Sequence, residues 1–349
     1  MSLSNRGSEL VSLFKKELEL CALKPDEVVA VLSETECAED YTTAAMMAAR
    51  EMGAEVFNVN LLPRPGVFGS IVGNLGGTNS LAGNRSAMEA LKSADLMIDT
   101  VFLLFSREQT EIQRSGTRII SVIEPPQVLS QLFPTRDLRA RVEAAQRRLE
   151  AAHQLRFTNR AGSDVTYQLG AYPTMTEYGY TDTPGRWDHW PGGFAFTGGS
   201  DTGVNGKVVM DRGDIIYPFS SYVREPIEFT IREGRIAGIS GGLDAETLRS
   251  YMESYRDEKA YGISHIGWGL NEKAEWTCHA QGVPGIGMAG RAFYGNVLFS
   301  TGPNTELGGG NDTKCHLDLP MRNCTLWLDD DLIVKDGEVI PEDMRVPGR

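Results

Sequence analysis

Residues 28–32 of the chain read Val-Val-Ala-Val-Leu, an uninterrupted apolar run. Valine is enriched in β-strands because its branched side chain fits the pleated surface of a sheet. A strand without polar residues on either face is typical of a parallel sheet that is buried on both sides. The run therefore predicts a central strand of an α/β domain.

The segments that follow continue this pattern. Strand-like apolar runs and helical patterns alternate along the chain, with strands predicted at residues 54–59, 96–99 and 117–122 and helices at residues 41–52, 87–93 and 108–114. Such alternation indicates a parallel sheet with helices on both faces. We predict an α/β domain over residues 1–134. No glycine-rich phosphate loop follows the first strand, so we predict no nucleotide site there.

The second half of the chain has a different sequence pattern. Residues 136–153 form a charged helical run, and we predict residues 135–156 to be a helical connector. Beyond it, short alternating strands and many glycines predict a β-rich α+β domain over residues 157–349, mostly antiparallel. Residues 245–255 are the one clear helical pattern in this domain.

Composition restricts the partners of the protein. The 349 residues carry a formal net charge of -13, and 41% hydrophobic with 23% charged residues is typical of a globular chain. Binding to nucleic acid or to an anionic membrane requires a basic face, so we expect neither partner. A small-molecule substrate is compatible with this charge, because a pocket can differ in sign from the whole protein.

The N-terminal segment and the cysteines predict a cytoplasmic location. Residues 1–20 read as an amphipathic helix, and we expect neither a signal peptide nor a membrane-spanning stretch. The cysteines are odd in number and scattered, without a CxxC pair, which is typical of reduced thiols. They are Cys21, Cys37, Cys278, Cys315 and Cys324.

The sharpest chemical feature is the run Cys-His-Leu-Asp at residues 315–318. Side chains two residues apart in a strand point to the same face, so His316 and Asp318 are predicted to project together. Such a pair with one distant histidine is the composition of a 2-His-1-carboxylate metal site, which leaves coordination positions open. A His-x-Asp pair alone is more often an ordinary surface pair.

Two histidines compete for the third position. His265 lies among apolar, aromatic and glycine residues in a segment predicted to be buried, where an isolated histidine is usually a hydrogen-bonded core residue. His279 precedes the glycine-rich residues 281–285, which read as a mobile loop. We therefore place His265 ahead of His279.

Two further residues are candidates for a pocket wall. His189 stands between Trp187 and Trp190, a setting that suits ring stacking and proton transfer but equally suits a packed aromatic corner. Glu177 lies among aromatic residues, where a buried carboxyl needs a hydrogen-bond donor or a proton. A structural role is an open alternative for both.

Two patterns resemble ligand sites without the context that they require. Residues 285–290 match the dinucleotide motif GxGxxG, and Glu306 falls where a ribose-binding acid would stand. No strand precedes the motif, and later glycines and Pro303 interrupt a βαβ unit. The three aspartates at residues 329–331 follow a predicted strand and indicate a turn.

Longer stretches carry a resemblance to one family. The chain is similar over nearly its whole length to the bacterial 2,5-dihydroxypyridine 5,6-dioxygenases. The runs that carry this resemblance are residues 122–126, 176–180, 184–191, 261–269, 291–296, 299–306 and 315–318. Matches of this length are more specific than any three-residue motif.

The resemblance implies a mononuclear Fe(II) oxidoreductase that uses O2 to open a small aromatic N-heterocycle between C5 and C6. Its implied product is N-formylmaleamate, in nicotinate-type catabolism, and its implied fold is related to that of the M29 aminopeptidases. By position, His265, His316 and Asp318 are the implied iron ligands, carried by the β-rich domain. We also expect a homo-oligomer.

The resemblance places Glu177, His189 and Arg291 in the pocket as catalytic candidates. His189 would take a proton from the ring, and Arg291 would hold an oxygen atom or form a structural ion pair, for which Glu306 is a candidate partner. One departure concerns Phe105, because the family has a histidine there. Phenylalanine cannot exchange a proton, so the exact ring substrate is less well fixed than the reaction class.

Three alternatives follow from these residues. The first is a dioxygenase for a different dihydroxylated ring. The second is an M29-type metalloaminopeptidase, which would need two metal ions and more bridging ligands than the few histidines supply. The third is a non-catalytic protein that binds aromatic ligands.

Overall fold

The computed structural model describes residues 3–35, 39–63, 80–280, 282 and 286–348. The α-helices of these residues are α1 (Leu3–Leu20), α2 (Glu39–Glu51), α3 (Arg85–Lys92), α4 (Arg107–Arg114), α5 (Pro126–Gln131), α6 (Arg136–Ala151), α7 (Leu243–Ser254) and α8 (Met288–Arg291). Short 3-10 turns include Trp276–Cys278 and Thr305–Leu307. No helix among the described residues is long and apolar enough to cross a membrane.

The β-strands of the described residues belong to four sheets. They are β1 (Val28–Glu34), β2 (Glu55–Leu61), β3 (Leu96–Asp99), β4 (Arg118–Val122), β5 (Gln154–Thr158), β6 (Asp164–Gln168), β7 (Met175–Glu177), β8 (Trp187–Trp190), β9 (Phe194–Gly198), β10 (Val204–Met210), β11 (Ile215–Ile216), β12 (Ser221–Tyr222), β13 (Ile227–Arg232), β14 (Arg235–Gly241), β15 (Ile263–Gly269), β16 (Val297–Thr301), β17 (Leu317–Met321), β18 (Thr325–Leu328), β19 (Asp331–Lys335) and β20 (Glu338–Val339).

The chain divides into two compact units. The first comprises Met1–Pro134 and Tyr178–Gly192, and the second comprises Thr135–Glu177 and Gly193–Arg349. The first unit contains a parallel five-stranded sheet in the order β2-β1-β3-β4-β8. The predicted α/β class of the N-terminal half is confirmed.

The VVAVL run forms most of β1, an interior strand of the parallel sheet. Residues 29–32 of β1 are fully buried, as expected for a parallel strand with both faces covered. Leu32, Met97 and Ile119 from three neighbouring strands share one hydrophobic cluster with Leu91 of α3. Burial of these apolar side chains, each worth roughly 1.5–3 kcal/mol, holds the sheet to its helices.

Capping residues explain where two predicted helices begin. The side chain of Asn84 accepts a hydrogen bond from the backbone N–H of Ala87, so α3 begins at Arg85 instead of residue 87. Ser106 caps α4 in the same way through the N–H of Gln109. A capping side chain satisfies an N–H that would otherwise lack a partner, which extends the helix beyond its apolar pattern.

The second unit is β-rich and mostly antiparallel, as predicted. One sheet has eight strands in the order β14-β13-β10-β6-β5-β18-β19-β20, and another has five in the order β17-β16-β15-β9-β7. Strands β11 and β12 form a small hairpin. The predicted helix at residues 245–255 is α7, and the aspartates at residues 329–331 lie between β18 and β19 and at the start of β19.

The structure differs from the predicted linear domain boundaries in one segment. Residues 178–192 were placed in the β-rich domain, but strand β8 pairs in parallel with β4 and belongs to the first unit. The four residues of β8 are all buried, so they show no alternation of polar and apolar residues that would indicate which sheet they join.

The charged helix α6, predicted as a connector, belongs to the second unit, where it contacts β7 and β9.

Candidate metal centre

The half of the five-stranded antiparallel sheet formed by β15, β16 and β17 carries the three predicted metal ligands. His265 lies in β15, Asp318 lies in β17, and His316 directly precedes β17. Strand β16 lies between β15 and β17 and pairs with both. The candidate ligands thus come from β15, from β17 and from the residue before β17, and both strands have β16 as a neighbour.

A bulge in β15 decides which way His265 faces. Ile263 pairs with Thr301 and Ile266 with Phe299, so two residues of β15, Ser264 and His265, lie opposite the single residue Ser300. Side chains alternate between faces along a strand, and the extra residue therefore brings His265 to the face of Ser300. In a regular register it would point to the opposite face.

The ligand atoms converge on one carboxylate oxygen. Nε2 of His265 lies 3.3 Å and Nε2 of His316 lies 3.2 Å from Oδ1 of Asp318. The three candidate ligand atoms lie within 4.8 Å of one another, and all three residues are buried. The structure thus brings together the trio that the sequence indicated.

Two donors outside the trio hold the Asp318 carboxylate. The hydroxyl of Ser300, directly opposite on β16, donates to Oδ1 over 2.5 Å. Arg291, at the end of α8, donates from Nε to Oδ2 over 2.7 Å. Its Nη1 donates to the carbonyl of Ile286. Each carboxylate oxygen therefore has a fixed donor, which sets the orientation of the side chain.

Charge in this buried cluster favours an ionised carboxylate. Burial alone would raise the pKa of Asp318, but the charges of His316 and Arg291 hold that pKa well below its usual value. Burial would likewise lower the pKa of His316, yet the nearby Asp318 carboxylate raises it. The trio offers an anionic oxygen and two imidazole nitrogens at one point.

The donor set fits a divalent transition metal. Imidazole and carboxylate together suit Fe(II), Zn(II) and related ions. Nε2 of His265 and Nε2 of His316 both face Oδ1 of Asp318, so one cation at this point could be bound by all three atoms.

Three neighbours of the trio carried too weak a sequence signal to be found. Ser300 and Tyr217 are distant in sequence from Asp318, and the backbone N–H of Tyr217 donates to the Asp318 carbonyl over 2.9 Å. The ring of Phe196 lies 4.8 Å from the ring of His265. These contacts depend on which strands are paired, and a single sequence does not show the order of the strands in a sheet.

His279 does not belong to the cluster of candidate metal ligands. Its Nε2 lies 2.7 Å from the hydroxyl of Tyr217, and its ring meets that of Tyr217 edge-on at 5.2 Å. The neighbouring residues 281 and 283–285, predicted as a mobile loop, lie outside the described residues. The structure therefore favours His265 over His279 as the third ligand.

His189 lies in β8 of the first unit and is buried. Its Nδ1 lies 3.1 Å from the carbonyl oxygen of Pro191, and its ring meets that of Phe102 edge-on at 6.0 Å. A carbonyl oxygen only accepts hydrogen bonds, so the Nδ1 nitrogen carries the proton. In the neutral imidazole, Nε2 then carries the lone pair that a general base requires.

Glu177 and Glu306 occupy different positions in the second unit. Glu177 ends the edge strand β7, two strands away from β15, and is buried. Glu306 lies in a 3-10 turn and accepts a hydrogen bond from Ser264, the neighbour of His265, over 3.2 Å. The ion pair of Arg291 is made with Asp318 and not with Glu306.

Phe105 packs inside the first unit. Its ring lies 5.2 Å from that of Trp187, and both residues belong to one hydrophobic cluster. Its backbone has a φ of +54°, which is uncommon for a residue other than glycine, and its N–H donates to the side chain of Gln109 over 2.7 Å. Phe105 is thus a packed aromatic residue at the end of a tight loop.

Comparison with known structures defines the fold first. The wild-type AmpT of Thermus thermophilus superimposes with a TM-score of 0.63 at 15% identity, over 97% of this chain and 100% of that chain. At this identity the likeness concerns the fold alone, and it confirms the expected relation to the M29 aminopeptidase fold. The 2,5-dihydroxypyridine dioxygenase of Pseudomonas putida KT2440 superimposes with a TM-score of 0.92 at 46% identity, over 97% of this chain and 99% of that chain.

Sequence comparison defines the family. The family described as NicX, 2,5-dihydroxypyridine 5,6-dioxygenase, matches residues 9–341. The 2,5-dihydroxypyridine 5,6-dioxygenase of Pseudomonas putida KT2440 is 47% identical over 352 aligned positions, with 99% of each chain covered. The chain belongs to the 2,5-dihydroxypyridine 5,6-dioxygenase family, and the resemblance seen in its sequence is confirmed.

Proposed function

We propose that this protein is a dioxygenase that cleaves the C5–C6 bond of 2,5-dihydroxypyridine to give N-formylmaleamate, with both atoms of O2 entering the product. Membership of the family supports the reaction class. The observation that carries the proposal is the convergence of His265, His316 and Asp318 on one buried point.

The proposal assigns Fe(II) to the trio. A 2-His-1-carboxylate set is typical of non-haem iron oxygenases, and iron held by it supplies open coordination positions for substrate and O2. Imidazole nitrogens from His265 and His316 and the ionised carboxylate of Asp318 provide that set. Ser300 and Arg291 keep the carboxylate in one orientation, which a site of this kind requires.

Arg291 has a different part in this proposal from the one expected from the sequence. Its Nε serves Asp318 and its Nη1 serves the carbonyl of Ile286. We therefore propose that Arg291 orients the metal ligand Asp318, and we prefer this role to direct contact with an oxygen atom of the substrate. A charge-assisted hydrogen bond of this kind is shorter and stronger than a neutral one.

His189 is the proposed general base. Its Nδ1–H is fixed by the carbonyl of Pro191, which leaves the basic lone pair on Nε2. Removal of a proton from a ring hydroxyl makes the ring more electron-rich and a better metal ligand. Glu177 remains a proposed pocket residue on the strength of the family resemblance.

The test is O2 uptake by protein that has been loaded anaerobically with Fe(II). We expect uptake and loss of ring absorbance with 2,5-dihydroxypyridine, weaker activity with its carboxylated forms, and none with the benzenoid gentisate. His265→Ala should abolish uptake, whereas the same change at the exposed His153 should not. Absence of uptake with every pyridine would refute the substrate assignment.

The peptidase alternative makes a different prediction for metal content. Two-metal hydrolases hold their ions with a larger set of bridging ligands. Within the described ranges of the chain, one group of three possible ligands is present. One iron per chain supports the dioxygenase, and two ions per chain with peptide hydrolysis would support the peptidase.

A further inference from the structure

The glycine motif of residues 285–290 has a structural explanation in its described part. Gly287 adopts a φ of +91°, and a Cβ on it would lie 2.2 Å from the ring of Tyr217. A Cβ on Gly290 would lie 2.4 Å from the Tyr217 hydroxyl oxygen. Both distances are far below van der Waals contact, so these two glycines make room for one tyrosine.

Tyr217 makes three separate contacts beside the metal centre. Its backbone N–H donates to the carbonyl of Asp318, and its ring lies 4.0 Å beneath the guanidinium carbon of Arg291. Its hydroxyl lies 2.7 Å from Nε2 of His279. Because Arg291 in turn donates to Oδ2 of Asp318, a continuous line of contacts runs from His279 to that carboxylate.

We propose that His279 is a positioning residue of the metal centre, which fixes the Tyr217 hydroxyl and thereby the Arg291 guanidinium that orients Asp318. The inference rests on the proposed function only in taking Asp318 as a metal ligand. It gives a role to the histidine that the sequence offered as an alternative ligand and to the glycines that resembled a nucleotide motif.

The protonation of His279 agrees with this role. Burial and the charge of Arg291 lower the pKa of His279, so its imidazole is neutral near pH 7. A neutral imidazole with its proton on Nδ1 accepts the hydrogen bond of the Tyr217 hydroxyl at Nε2. The tyrosine ring then stays flat beneath Arg291, where the cation–π contact depends on its angle and distance.

The test uses Co(II) binding to the metal-free full-length protein, followed by its visible absorption. His279→Leu removes the acceptor, and Tyr217→Phe removes the donor while the ring is kept. Loss of an outer hydrogen-bond partner typically weakens metal binding by 10–100-fold. Because these residues act through Arg291, we expect each variant to weaken Co(II) binding by about tenfold and to shift the visible bands.

Two further variants separate positioning from a general structural effect. His279→Gln places an amide oxygen near Nε2 and should restore most of the affinity and the wild-type bands. The double variant with His279→Leu and Tyr217→Phe should be no weaker than either single one, because both break the same link. His153→Leu, which removes a histidine whose side chain is 94% exposed, should leave Co(II) binding unchanged.

The outcomes distinguish this inference from the proposed function. Unchanged Co(II) affinity and bands in both His279→Leu and Tyr217→Phe would overturn the inference, as would failure of His279→Gln to restore them. Wild-type protein that binds Co(II) but opens no ring when loaded with Fe(II) would refute the proposed function alone. The Co(II) measurements need no ring substrate and remain decisive in that case.

Discussion

Arg291 donates a hydrogen bond from Nε to Oδ2 of Asp318 over 2.7 Å, and both side chains are buried. The other carboxylate oxygen, Oδ1, faces the two histidines and the hydroxyl of Ser300. Oδ2 is thus held by Arg291, whereas Oδ1 is held by Ser300 and also faces the two candidate ligand nitrogens. Loss of the hydrogen bond from Arg291 should therefore weaken metal binding before it destabilises the fold.

Arg291→Lys tests the role of this hydrogen bond. Lysine keeps the charge but loses the planar guanidinium that rests on Tyr217 and donates along a fixed direction. We expect metal affinity to fall by roughly 10–100-fold, measured by titration of the metal-free protein. Arg148→Lys, at a partly exposed ion pair in the same unit, should bind metal as the wild type does. Equal affinity of the Arg291 and Arg148 variants would contradict the assignment.

His265→Ala and Asp318→Asn test the ligands themselves. Each should lose bound iron and O2 uptake while its circular dichroism remains that of a folded protein. Asp318→Asn also leaves the buried Arg291 charge without its partner, which typically costs about 3–5 kcal/mol of stability. Metal analysis after gel filtration provides the measurement, with His153→Ala as the control. Full iron content and turnover in either variant would show that the ligand set is wrong.

His189→Gln tests the proton-transfer role. Glutamine keeps a polar side chain in β8 but cannot act as a base near neutral pH. We expect metal content to stay the same and turnover to fall roughly a hundredfold or more, with loss of the acidic limb of the pH–rate profile. His153→Gln is the matched control on an exposed histidine. Wild-type turnover across neutral pH would remove His189 from the mechanism.

Asp214 predicts a pH dependence of stability. Its carboxylate accepts hydrogen bonds from the backbone N–H groups of Asp211 and Arg322, yet burial raises its pKa to about 7. The folded state therefore holds this proton more tightly than the unfolded state. The resulting stability is complete below the unfolded pKa and is lost as the pH rises through about 7.

The check compares thermal midpoints of the metal-free protein at about pH 5 and about pH 8. Asp214→Asn cannot ionise, so its midpoint should fall less than that of the wild type over this interval. Asp330→Asn, at an exposed position, should retain the wild-type dependence. The same slope in the wild type and in Asp214→Asn would show that Asp214 does not titrate in this range.

Elements of the fold with a strong local sequence signal could be predicted from the sequence. The run at residues 28–32 is apolar throughout, and it forms an interior strand of the parallel sheet. The strand β8 was not assigned to that sheet, because four buried residues show no period and strand pairing across a long separation leaves no local signal. The homo-oligomer and the pocket role of Glu177 stay predictions.

In the candidate site, too, only the features with a local sequence signal could be predicted. His316 and Asp318 are two residues apart, so local geometry alone indicated that they face the same way. The apolar neighbours of His265 placed it ahead of His279, and the family resemblance supported that choice. The bulge that turns His265 towards Asp318 arises from pairing with β16 and has no local sequence signal. Ser300, Tyr217 and the role of Gly287 depend on contacts between distant segments, and composition does not reveal them.

The bulge in β15 makes the metal centre sensitive to a shift of a single residue. If β15 continued the register of Ile263 without the bulge, Ser264 would lie opposite Ser300 and His265 would point to the other side of the sheet, although the histidine itself would still be present. Only chains that have paired β15, β16 and β17 correctly can then bind metal tightly. The rate of metal binding during refolding would thus report when this sheet is completed. Metal binding therefore selects chains whose strands have paired in the correct register.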